Sequence, residues 1–177
     1  MRRIFALLGL VAALFLAAPA WAAVMLSFHS FNGSMLGGRY PHAFIVMEGT
    51  LDANGQAVNE NYGYTAVSAG PGVLMGNVRG TISVEQPRYI ATTNRHFTMQ
   101  ITDAQYHAIV AEVNGWRDGP GQKRYSLDNR NCVHFVARIA QMVGFDLAVP
   151  QKLVRKPRAY LNLLVRSFPA VGGKVFG

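Results

Sequence analysis

The sequence predicts an α+β fold: a mostly antiparallel sheet packed against a helix that carries the one cysteine of the chain. Three observations point there. Between Val24 and Ile101, β-rich runs are separated by short turn-forming stretches that leave no room for the long crossovers of a parallel sheet. From Thr102 onward the apolar residues recur at helical spacing instead. The run Pro41 to Met47 is apolar on both alternating sets once past His42, as expected of a strand covered on both faces.

Residues 1–22 have the layout of a secretory signal peptide, with Arg2 and Arg3, an apolar run from Ile4 to Ala18, and small residues at Ala20 and Ala22. Cleavage is expected after Ala22, with Ala20 as second choice, leaving 23–177 as a single domain that is secreted or periplasmic. The apolar run is short for a membrane span, and no later stretch supplies one.

Val24 to Phe28 is the first expected strand, His29 to Arg39 a glycine-punctuated loop, and Pro41 to Met47 the second strand. Asn54-Gly55 marks a hairpin turn that returns the chain through Ala57 to Tyr64. Ser68 to Gly72 reads as a loop. Thr81 to Val84 and His96 to Ile101 read as further strands, and Pro87 confines its stretch to an edge or a connection. Thr102-Asp103-Ala104-Gln105 opens a helix with a capping box. Tyr106, Ile109, Val110, Val113 and Trp116 form its apolar stripe, and Asp118 to Gly121 end it. Tyr125-Ser126-Leu127 leads into the cysteine helix, where Asn129 or Asn131 is the N-cap and Val136, Ile139, Ala140 and Val143 recur before Gly144 stops the run. A short helix near Arg158 to Arg166 follows.

Seventeen Lys and Arg against nine Asp and Glu give a formal charge of +8. The excess crowds at Lys152, Arg155, Lys156 and Arg158, where a solvated, mildly basic surface is the default reading over a dedicated binding patch; an anionic envelope surface or polymer is the more natural partner for such a patch. No nucleic-acid module is present, and nucleic acid is not expected as a partner. A single cysteine forms no intramolecular disulfide, so in an oxidising compartment Cys132 is either buried or used. One cysteine and five scattered histidines give no ligand spacing for zinc, and neither a metal nor a cofactor is expected.

In the first turn of its helix, Cys132 meets the positive dipole end and free backbone N–H groups, which favour the thiolate that a nucleophile needs. It is also in phase with Val136, Ile139 and Val143, which equally suits a small core residue. His134, two residues on, is turned away by about 200°. His107 lies beside Tyr106 as a surface or boundary residue, and His29 and His96 have no pattern that singles them out. His42, at the mouth of the central strand, is the candidate general base.

The stretch Gly37-Gly38-Arg39-Tyr40-Pro41-His42-Ala43-Phe44-Ile45-Val46, followed by Tyr125-Ser126-Leu127-Asp128-Asn129-Arg130-Asn131-Cys132-Val133-His134-Phe135-Val136, resembles the circularly permuted branch of the NlpC/P60 papain-like superfamily. In that branch the histidine strand precedes the cysteine helix. The resemblance implies a papain-like core in permuted order, with Cys132 as nucleophile and His42 as base. A third polar residue would orient the imidazole from the next strand, where Asn61 is favoured over Asn59 and Glu60. It further implies an amidase, peptidase or acyl-ester hydrolase. A cell-wall stem peptide is the leading substrate and an envelope lipid or lipoprotein acyl group the second, with an acyltransferase of the same fold as a variant.

The chemistry would run through attack of the sulfur on a carbonyl carbon, proton transfer by His42, and hydrolysis of the thioester. The Cys132 N–H is an expected oxyanion donor, and Asn129 or Asn131 would add a side-chain amide unless it serves only as the cap. Two other classes stay open. One is a catalytically silent envelope binding domain, the other a structural domain in which Cys132 is core.

Overall fold

The computed structural model describes residues 23–33, 40–68, 70–119 and 124–177. The expected signal segment, the Gly37-Gly38-Arg39 part of the first motif, Ala69 of the expected loop and the turn at Pro120-Gly121 lie outside them.

The fold is mixed α and β. Six strands, β1 Val24–Phe31, β2 His42–Thr50, β3 Ala57–Ala66, β4 Val78–Ser83, β5 Asn94–Ile101 and β6 Arg124–Tyr125, form one sheet in the order β5-β1-β2-β3-β4-β6. Every pair is antiparallel. Among the described residues there are five helices: α1 Gly72–Met75, α2 Pro87–Ile90, α3 Asp103–Asp118, α4 Cys132–Met142 and α5 Pro157–Ser167.

β2 sits at the centre, and each residue from His42 to Met47 is buried. The β2–β3 hairpin turns at Asn54-Gly55: Gly55 takes φ +70°, and the Asn54 Oδ1 accepts from the Gln56 N–H at 2.9 Å. β1 runs three residues further than expected, because His29, Ser30 and Phe31 pair with Phe44, Ala43 and His42. Two four-residue helices, α1 and α2, occupy stretches expected to be loop or connection; Pro87 begins the second.

Register divides the sheet into two faces. Leu26, Phe28, Ala43, Ile45, Met47 and Tyr64 face Ile109, Val113 and Trp116 of α3, Val136 and Ile139 of α4, and Leu161 and Leu164 of α5. Each Val, Leu, Ile, Phe or Met of this set removed from water stabilises the fold by roughly 1.5–3 kcal/mol before entropy is counted. Ser27, His29, His42, Phe44, Val46 and Asn61 share the opposite face. Because β4 borders β3 and β5 borders β1, the chain from Val84 to Thr93 must cross this second face. It is pinned at one end by Asn61 to Glu85 and at the other by His29 to Thr93. Phe44 and Val46 on this face are buried.

Candidate functional site

α4 starts where Asn131 breaks into extended backbone, φ −136°. Its Oδ1 accepts from the Val133 N–H at 2.8 Å and the His134 N–H at 3.4 Å, and the Asn131 N–H donates to His134 Nδ1. This reciprocal capping box fixes His134 at the helix end, away from the cysteine. The Asn131 Nδ2 donates to the carbonyls of Leu127 and Val154, both at 2.6 Å. Both its hydrogens are thus spent, and Asn131 is a cap and a tie rather than an oxyanion donor. Asn129 takes neither expected role: it is exposed in the turn closed by Ser126 and Arg130 and does not line the cavity.

Cys132 follows the cap, with 5% of its surface exposed. Burial pushes its thiol up to about 11, although the backbone amides of Ala43, Val133 and Cys132 itself pull the other way. The expected thiolate is therefore a thiol at neutral pH. Withdrawal of solvent outweighs the helix end.

His42 opens β2. Alternation sends its ring to the Phe44 side, stacked on Phe44 with 6.3 Å between centroids, while its Nε2 lies 3.4 Å from Ser83 Oγ. Gly63 makes room for it, since a Cβ there would stand 2.3 Å from the Nε2. Asn61 is on the same face but opposite Val46, four residues further along β2. At about 3.4 Å per residue it cannot orient the ring, and its amide is occupied by the Glu85 backbone, accepting at 2.6 Å and donating at 3.0 Å. Ser83 stands where Asn61 was expected. Only the β3–β4 register, Gly63 opposite Ser83, brings it there.

The thiol and the imidazole meet one cavity of about 520 Å³ that wraps the end of the sheet. Phe31, Pro41 and Ser83 from the sheet end and Leu127, Asn131 and Val133 around the start of α4 are among its lining residues. Among the described residues its charged lining is Glu85 and Arg155, and Arg155 is already held by Asp128 at 2.7 Å. The remaining histidines serve packing or surface. His29 is bonded to Ser27 and Thr93, His96 to Ser30, and His107 is exposed on α3. Among the described residues no three His, Cys, Asp or Glu side chains are grouped to hold a metal ion, and no helix is long and apolar enough to cross a membrane. Comparison of the chain with family models, curated proteins and solved structures returned no match.

Proposed function

We propose that the protein is an exported thiol hydrolase of acyl esters or amides, with Cys132 as nucleophile and His42 as general base. The observation that carries this reading is the shared cavity: side chains ninety residues apart in sequence open onto one space of about 520 Å³. That volume suits a small-molecule site. The order of histidine strand and cysteine helix, on an antiparallel sheet, supports a permuted NlpC/P60-like core.

The thiol is neutral at rest, so its proton passes to His42 as the sulfur–carbon bond forms. For this step the imidazole turns from Ser83 toward the sulfur about its own side-chain bonds. The imidazolium returns the proton to the departing oxygen or nitrogen, and water then opens the thioester and restores the thiol. The amides of Ala43, Cys132 and Val133 around the sulfur are the oxyanion donors in this scheme. The mainly apolar lining favours a lipid-derived acyl group over a charged wall peptide, and transfer to an alcohol or amine in place of water would make the same site an acyltransferase.

The test is turnover of p-nitrophenyl esters from acetyl to dodecanoyl beside a wall stem peptide, with intact mass measured during turnover. Ester hydrolysis that rises with acyl length, and a thioester on Cys132, are expected. Cys132→Ser and His42→Ala should each lower kcat/KM at least about 100-fold. Undiminished turnover in Cys132→Ala would discard the reading. Absence of turnover in the parent would discard it too, and would favour a silent envelope binding domain, which the burial of the thiol supports.

A further inference from the structure

We propose that the mouth of the cavity is a docking surface for an anionic phospholipid bilayer. Its two walls differ in kind. One is built around α1, which buries none of its residues. Leu74, which lines the cavity, is 76% exposed, Met75 beside it is 88% exposed, and Tyr40 on the rim is 66% exposed. Large apolar side chains grouped in water in this way mark a contact surface.

The second wall is the chain from Gln151 to Pro157. Val154, Arg155 and Pro157 line the cavity while Lys152, Arg155 and Lys156 are exposed. From Leu147 to Gly177 the sequence has six Lys and Arg and no Asp or Glu. The α1 wall is free of acids too, from Asn61 to Val84. Of the acidic residues, Glu85 lines the cavity among the described residues, and Asp128 is held by Arg155.

An apolar pair able to enter the acyl region, beside cations able to meet lipid phosphates, is the arrangement that holds a protein at a membrane interface. The cations select anionic over zwitterionic lipid. Leu74 and Met75 distinguish a bilayer from a soluble polyanion, which offers them nothing to enter. Docked by this surface, the cavity opens onto the bilayer, and an acyl group enters it without crossing water. The docking itself requires no thiol chemistry.

The test uses the protein without residues 1–22, whose apolar run would itself partition; among the described residues every core residue lies at or beyond Val24. Sedimentation is measured with vesicles of phosphatidylglycerol and phosphatidylethanolamine, and with vesicles of phosphatidylcholine alone. Binding to the first and little to the second is expected. Leu74→Asp with Met75→Asp should cut the partition coefficient about tenfold or more. Lys152→Glu with Lys156→Glu should cut it about twentyfold and erase the lipid preference. These side chains are exposed, and thermal melts of the variants should match the parent. A parent protein that stays in the supernatant with both vesicles at low salt overturns the proposal. So does binding that survives Leu74→Asp with Met75→Asp, which would assign the surface to a soluble polyanion instead. Cys132→Ser separates the two readings: it sediments like the parent if the docking holds, whatever happens to ester turnover.

Discussion

At Cys132 two effects act on one sulfur. A helix end favours the anion by about 0.3–1 kcal/mol, and by about 2 at most, whereas full burial can disfavour it by about 3–5 pKa units. The result is a thiol near 11. Alkylation by iodoacetamide should accordingly be slow at pH 7 and rise about tenfold per pH unit through pH 10; a plateau at or below pH 8.5 would contradict this. Desolvation has the opposite sign at His29 and His96, both lowered to about 4, by burial first and then by Arg95 and His96 for the former and Arg158 for the latter. The unfolded chain binds protons near pH 6.5 that these folded rings refuse. Their contribution to stability is complete above that pH and declines as pH falls toward 4, by on the order of 2 kcal/mol each at pH 5. Urea midpoints at pH 7.5 and 5 measure it. His96→Gln should remove about half of the difference, and equal midpoints in the parent would refute the assignment.

The element that places the thiol is the junction into α4, which depends on Asn131. Asn131→Ala removes a cap worth about 1 kcal/mol and leaves the Leu127 and Val154 carbonyls short of a buried donor, each at about 1–3 kcal/mol. Asn131→Ser restores a capping oxygen and neither donor, so it should recover only part of the loss in urea denaturation. Full recovery would mean that the two carbonyl ties contribute nothing. The helix start was legible in the sequence because capping is local chemistry, and so was the Asn54-Gly55 turn. The tie to Val154 was not, since that carbonyl lies 23 residues away. Asn61 misled for a similar reason: it has a suitable side chain on the expected strand, but register puts it opposite Val46, and Ser83 has no local mark. The four-residue helices α1 and α2 are too short to establish a period.

Across the whole molecule, β2 could be recognised as central from two apolar sets in seven residues, and antiparallel pairing from short connections. The strand order could not, because it depends on the path of Val84 to Thr93 across the sheet, set by two side-chain pins distant in sequence. Amide exchange should follow the order: slowest in β1 and β2, which are paired on both sides, and fast in β6 and α1. Exchange in β1 as fast as in β6 would contradict the topology. The same arrangement governs how a growing polypeptide becomes a protein. β1 and β2 leave the ribosome before the helices that cover Leu26, Phe28 and Ile45, so the nascent hairpin needs a holding partner until the last third has been made. A polypeptide stopped short of Pro157 has a finished sheet with no roof over β1. Such fragments should be lost to aggregation or proteolysis rather than persist as a smaller working unit.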